Sequence, residues 1–117
     1  MKYLLMFCGS AQDLEAWQAL PEEARAEQNA KVGQWFGKHS AKIKSSNRLL
    51  PPHTSTSVHF GANDEPLITD GPFLEGTEVI GGYAEIEVED LDEALEIAKE
   101  WPARPPARSV IEVRPLV

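Results

Sequence analysis

The stretch VIGGYAEIEVEDLDEALEIAKEW, residues 79–101, decides the fold. Residues 79–88 read as the longest strand of the chain. Their alternation puts Ile80, Ala84, Ile86 and Val88 on one face and Val79, Tyr83, Glu85 and Glu87 on the other. The period then changes. Asp90 is placed to cap a helix, Glu93 three residues on completes a capping box, and Leu91, Ala94, Leu95, Ala98 and Trp101 recur at helical spacing as a buried stripe. Gly81 and Gly82, side by side inside a strand, mark close backbone packing or a bulge.

Working back toward the start, residues 3–8 (Tyr-Leu-Leu-Met-Phe-Cys) are apolar at every position, the pattern of a strand buried on both faces. Gly9 and Ser10 break it, and residues 14–20 form a short helical turn. Pro21 suits a first helical position, and Glu22 and Glu23 complement the positive end of the helix dipole. Val32, Trp35, Phe36, His39 and Ile43 then predict a helix running on to Lys42 and Lys44, with residues 45–52 as a connector. Residues 54–60 alternate and are β-branched, residues 61–64 (Gly-Ala-Asn-Asp) read as a turn, and Leu67-Ile68-Thr69 closes a hairpin. Asp70-Gly71-Pro72-Phe73 is a loop of turn formers. Beyond Trp101, residues 102–106 are a proline-broken loop and residues 110–113 a last strand.

The predicted order is strand, helix, hairpin, strand, helix, strand, within a single domain spanning residues 1–117. It defines an α+β fold, a ferredoxin-like split β-α-β arrangement with an extra hairpin strand. Such a sheet packs its helices on one face. The other would expose Val79, Tyr83, Val110 and half of the first strand, a large apolar patch for a lone chain. The expectation is therefore a homodimer whose sheets face each other around a partly polar cavity, a dimeric α+β barrel.

Composition narrows the function classes. The 117 residues hold 11 Lys and Arg against 19 Asp and Glu, a net charge of −8. That balance argues against nucleic acid or an anionic membrane as partner, since both need clustered cations. The charges are also unevenly placed. Lys31, Lys38, Lys42, Lys44 and Arg48 fall in a stretch without acids, and residues 85–100 carry eight acids with Lys99 alone among them, as expected of two neighbouring elements that neutralise each other. One cysteine, Cys8, excludes an internal disulfide or a Cys-based zinc cluster. The six-residue apolar run near the start is too short for a secretory core of ~7–15 residues, and nothing reaches the ~18 apolar residues of a membrane span. A cytoplasmic location is expected. His39, His53 and His59 have no metal-ligand spacing, and no phosphate loop or Gly-rich nucleotide fingerprint is present, so neither a metal nor a cofactor is expected.

The segment Asp70-Gly71-Pro72-Phe73-Leu74-Glu75-Gly76-Thr77-Glu78-Val79-Ile80-Gly81-Gly82 closely resembles the signature of the DGPF branch of YCII-related proteins. Met1-Lys2-Tyr3-Leu4-Leu5, Asp90-Leu91-Asp92-Glu93-Ala94 and Val110-Ile111-Glu112-Val113-Arg114-Pro115 resemble the same branch, so the likeness runs the length of the chain. It implies a ferredoxin-like dimeric α+β barrel. It assigns no reaction, although a His–Asp pair is a feature discussed across the wider group and related barrels include dehydrochlorinases of chlorinated aromatics. Association with an extracytoplasmic-function sigma factor is implied by the resemblance alone. The chain departs from the branch at Thr77, where a Lys is usual, at Ser45-Ser46-Asn47-Arg48, where a Gly-rich connector is usual, and at Glu85, where an apolar residue is common.

The candidate chemistry follows from these pieces. Asp70 reads either as the organiser of an Asx turn or as a carboxylate at the barrel mouth. If Phe60 pairs near Leu67, His59 and Asp70 become diagonal neighbours on one face of the hairpin, able to act as an acid–base pair; a slip of one residue separates them. Gly71, Pro72, Phe73, Tyr83 and Arg114 are the candidate ligand contacts, with Arg114 alternatively paired to a neighbouring carboxylate. Two functions remain open at this point. One is binding of a small polar or aromatic molecule in the dimer cavity, with proton-transfer chemistry. The other is a non-catalytic accessory or regulatory module linked to a sigma factor.

Overall fold

The computed structural model describes residues 1–61, 65–74, 76–104 and 109–117. The elements run β1 (Lys2–Ser10), α1 (Ala11–Ala19), α2 (Glu22–Lys38), β2 (Ile43–Arg48), a 3-10 turn (Pro52–Thr54), β3 (Thr56–His59), β4 (Leu67–Asp70), β5 (Glu78–Glu87), α3 (Leu91–Lys99) and β6 (Val110–Pro115). The fold is mixed α+β. β2, β5, β1 and β6 form one antiparallel sheet in that order, so each β-α-β unit is split by a strand of the other.

The alternation read from the sequence places the core. Tyr3, Leu5, Ala84, Ile86 and Val88 are buried together with Trp35, Ala94 and Ile97, and Phe36, Ile43, Trp101, Ile111 and Val113 pack at the margin. The helices thus cover the face that carries residues 84, 86 and 88. Trp35 of α2 donates its indole N–H to the Ile97 carbonyl of α3 (2.9 Å). Gln28 of α2 donates to the Pro102 carbonyl just beyond α3 (2.6 Å). A buried tryptophan with its one polar atom satisfied is both a large apolar anchor and a fixed register for the two helices.

Several expectations need correction. The helix α2 does not continue to Ile43. It ends at Lys38, with His39 as its C-cap, and Ile43–Arg48 is an edge strand where a connector was expected. Its sequence, Ile-Lys-Ser-Ser-Asn-Arg, lacks the β-branched alternation that signals a strand, and pairing with β5 supplies what propensity does not. The hairpin is not part of the main sheet: β3 and β4 pair with each other in a separate two-stranded sheet, while its expected turn at residues 61–64 lies mostly outside the described residues, as does much of the 102–106 loop. On α3, Leu91 and Leu95 face outward and Ile97 faces inward. The capping box is also displaced by one residue. Asp90 accepts from the Glu93 amide (2.9 Å), but the Glu93 carboxylate accepts from the amide of Glu89 rather than Asp90 (2.9 Å). A true reciprocal box sits elsewhere, between Ser10 and Asp13 at the start of α1.

The Gly81-Gly82 pair is where the sheet changes register. Phe7 lies opposite Gly82 but Cys8 lies opposite Ile80, so Gly81 is the extra residue of a β-bulge. The slip exchanges the faces of what precedes it. Ile80, expected inside, joins Cys8 and Val110 on the uncovered face, and Val79, expected on that face, pairs with Gly9 on the other side. At Gly82 the edge strand comes in so close that a Cβ would stand 2.9 Å from the Asn47 carbonyl oxygen. Substitution Gly82→Ala should therefore force β2 away and cost about 1–3 kcal/mol, as overpacking does. Gly33, inside α2 with nothing within 4 Å of its would-be Cβ, should behave oppositely, Gly33→Ala adding up to about 1 kcal/mol. Denaturant midpoints of the two variants check the opposite signs.

Candidate functional site

A cavity of about 610 Å³ opens beside the bulge, within the ~300–1,000 Å³ common for small-molecule sites. Phe7 of β1, Phe36 of α2 and Trp101 line it from the core side, and Ala16 and Trp17 of α1 with Val32 of α2 extend the apolar wall. Ser46, Asn47 and Arg48 of β2 and Gly81, Gly82 and Tyr83 of β5 form the sheet side, and Arg104 and Ser109 close one end. Two consecutive glycines at this point of β5 contribute backbone and no side chain to the wall.

The aromatic wall is rigid. Phe7 packs on Trp101 at 4.4 Å and meets Trp35 edge-on at 5.9 Å, and Trp35 meets Trp101 edge-on at 5.1 Å. Opposite it the groups are polar. Asn47 and Tyr83 border the cavity from their strands, but their side chains share the uncovered face with Met6, where the Asn47 amide donates to the Tyr83 hydroxyl (2.9 Å). Arg48 and Arg104 are in no ion pair among the described residues. The one carboxylate at the described wall, Asp13, is held in the capping box with Ser10. The cavity is thus an aromatic slot with two cations at its polar side, a site suited to a flat molecule bearing negative charge.

The expected site residues divide. Tyr83 lines the cavity. Arg114 does not; on the uncovered face it forms an ion pair with Glu112 two residues before it. The hairpin register overturns the His59–Asp70 arrangement within one chain. His59 lies opposite Leu67, Val58 opposite Ile68 and Thr56 opposite Asp70, one residue from the register that would have joined the pair. His59 and Asp70 therefore occupy opposite faces, and the His59 Nε2 meets the Thr69 hydroxyl instead (2.8 Å). Nor does Asp70 make the Asx turn. The loop is held by the Gly71 amide donating to the Ser55 carbonyl (2.8 Å) and by the Ser57 hydroxyl donating to the Gly71 carbonyl (2.6 Å). Gly71 supplies the positive φ of 98° that the turn needs. Pro72 and Phe73 follow on the surface.

Sequence reasoning missed Arg48, Asn47, Trp17 and Phe36 as wall residues. The first two lay in the unrecognised strand, Phe36 read as part of an apolar helix stripe, and Trp17 fell in a short helical turn with no role assigned. His39 proves to be a satisfied rim residue, packed on Trp35 at 5.3 Å with Nε2 3.2 Å from a Glu100 oxygen. Among the described residues no three His, Cys, Asp or Glu side chains gather as a metal site, and no helix is long and apolar enough to cross a membrane.

Such an arrangement, an antiparallel sheet covered by helices on one face with an aromatic cavity at its bulged end, defines a mixed α+β domain. The YCII-related domain matches residues 1–117, and the chain belongs to that family. It is 28% identical over 116 residues to an uncharacterized protein of Rhizobium meliloti (strain 1021), covering 99% of this chain and 92% of that one. A solved structure of 5-chloro-2-hydroxyhydroquinone dehydrochlorinase from Burkholderia phenoliruptrix AC1100, in complex with 2,5-dihydroxybenzoquinone, aligns with a TM-score of 0.46 at 17% identity, covering 96% of this chain and 91% of that one.

The charged rim also carries a pH dependence. Lys38 and Lys42, in the basic stretch, bind Glu100 (2.6 Å) and Glu93 (3.0 Å) of the acidic one. The hydrogen bond from Lys38 holds the Glu100 carboxyl below its ordinary range, with His39 adding to the effect. A carboxyl whose folded pKa is depressed contributes stability above its unfolded pKa, about 4.3 for glutamate, and loses it as pH falls through the lower folded value. Because these groups are solvent-exposed, the contribution is small and screened by salt. Denaturant midpoints measured across acid pH at low salt should fall less steeply for Glu100→Gln than for the unsubstituted protein.

Proposed function

We propose that this YCII-related protein, of the DGPF branch, binds a small aromatic anion, a carboxylate or phenolate, in the cavity beside the Gly81-Gly82 bulge. The observation that carries the reading is the pairing of a preformed aromatic wall, Phe7, Phe36 and Trp101, with Arg48 and Arg104 on the polar side. An aromatic ring enters between apolar faces, and its anionic group meets a guanidinium in a site partly shielded from water. Hydrogen bonds to charged groups are worth about 1.5–3 kcal/mol each. With Asp70 and His59 on opposite faces of the hairpin, binding is the primary reading; proton-transfer chemistry would require groups brought to the cavity from beyond one chain.

The same reading includes self-association. Leu4, Met6, Cys8, Ile80 and Val110 share the face the helices leave open, bordered by Glu85, Glu112 and Arg114. Two such faces brought together would form a ferredoxin-like dimeric α+β barrel with Arg114 near the seam.

Fluorescence titration and thermal shift with 4-hydroxybenzoate, against the uncharged phenol as control, test the binding. Saturable quenching and a raised melting temperature are expected for the carboxylate. Arg48→Ala should weaken it about tenfold, a loss of about 1.4 kcal/mol, whereas Tyr83→Phe, on the opposite face of the sheet, should leave it unchanged. Equal response to the acid and the neutral ring, or full affinity in Arg48→Ala, would contradict the assignment.

A further inference from the structure

Residues 49–77, between β2 and β5, leave the body of the protein as an arm. β3 and β4 form a ribbon that shares no sheet with the rest of the fold. The root is well tied: the Leu49 amide donates to the Gly81 carbonyl (2.9 Å), and the Ala11 amide to the Thr77 carbonyl (2.7 Å). The ribbon itself is bare. On one face Val58 lies opposite Ile68, and Phe60 continues the alternation. Their exposures are 51%, 67% and 84%, and Phe73 at the base of the arm is 79% exposed. The excursion shows in the overall dimensions. The radius of gyration is 16.5 Å and the extents are 49 × 39 × 19 Å, against about 13 Å expected for a compact chain of this length.

A two-stranded hairpin is marginal in water by itself, and an uncovered apolar ribbon is an adhesive surface. What covers it is constrained by charge. Residues 49–77 contain no Lys or Arg and carry Asp64, Glu65, Asp70 and Glu75, so nucleic acid and anionic lipid are excluded as occupants by repulsion. The occupant must be apolar, and the same chain presents an apolar surface its own helices leave open, the sheet face with Leu4, Met6, Ile80 and Val110. With the sheet faces packed on each other as proposed above, each arm, rooted at Gly81 next to Ile80 of that face, extends the same seam over the other copy. The size is adequate too. Aromatic side chains bury about 150–250 Å² each. The four phenylalanines of two arms would thus bring much of the ~1,000 Å² that a specific interface needs, before Val58 and Ile68 are added.

We propose that the β3–β4 hairpin is an exchanged arm, which reaches across to a second copy of this chain and packs its Val58, Phe60 and Ile68 face on that copy. This rests on the self-association proposed above and adds which element clasps the pair. The packed face is the one that carries Asp70, while His59 lies on the other.

The test is a photo-crosslinker, p-benzoyl-phenylalanine in place of Phe60, in a mixture of isotopically heavy and light full-length protein that has been allowed to exchange copies. Cross-linked peptides that join heavy to light chains are the expected result. A native mass of two chains with cross-links only within one chain, or none, would overturn the arm while leaving the facing sheets standing. A native mass of one chain at micromolar concentration would overturn both. A second variant, Phe60→Ser with Ile68→Ser, touches no core residue; it should keep the circular dichroism of the parent and raise the dimer dissociation constant at least tenfold. An unchanged dissociation constant would count against the clasp.

Discussion

The rest of the structure hangs on one close approach, that of the Asn47 carbonyl to the backbone of Gly82. Only a residue without a Cβ tolerates it. Because β2 comes so near, a polar segment with little strand propensity becomes an edge strand. Because Gly81 adds one residue there, the sheet changes register at Phe7. The bulge then does two things at once. It brings bare backbone to the cavity wall at Gly81 and Gly82, and it turns Ile80 onto the face that no helix covers. A single diglycine thereby shapes both the cavity wall and the apolar character of the open sheet face.

Much of this was legible. Period-2 alternation in residues 79–88 identified the buried positions Ala84, Ile86 and Val88, and the Asp90 cap marked the start of α3. Such signals survive because burial imposes them directly: a misplaced polar residue on the helix-facing side of β5 would be buried without a partner. The Gly81-Gly82 pair announced a bulge or close packing, and both are present. The same reasoning could not follow the bulge's consequence for Val79 and Ile80, since face assignment by parity fails as soon as a strand gains one residue.

The remainder was hidden for physical reasons of a different kind. Ile43–Arg48 owes its strand conformation to β5, a tertiary effect that local sequence does not carry. Helical spacing from Val32 to Ile43 was genuine as far as His39, and Ile43 fits the core from a strand as readily as from a helix. The hairpin was recognised as a hairpin, but which sheet it joins is set by its tethers at Leu49 and Thr77 rather than by its own residues. The cavity residues fared worst. Phe36 and Trp101 look the same in sequence whether they fill a core or line an opening, and Arg48 gave no local sign of its place on the wall.

The central claim is that the slot between Trp101, Trp17 and the bulged strand is where a ligand sits. The three tryptophans allow it to be read directly. Trp17 and Trp101 line the cavity, whereas the Trp35 indole lies behind the wall with its N–H committed to the Ile97 carbonyl. In a nitrogen-15 correlation spectrum recorded during addition of 4-hydroxybenzoate, the indole resonances of Trp17 and Trp101 should shift saturably and that of Trp35 should move least. Shifts confined to Trp35, or an absence of change at Trp17 and Trp101 when binding is seen by calorimetry, would place the ligand elsewhere and contradict the account.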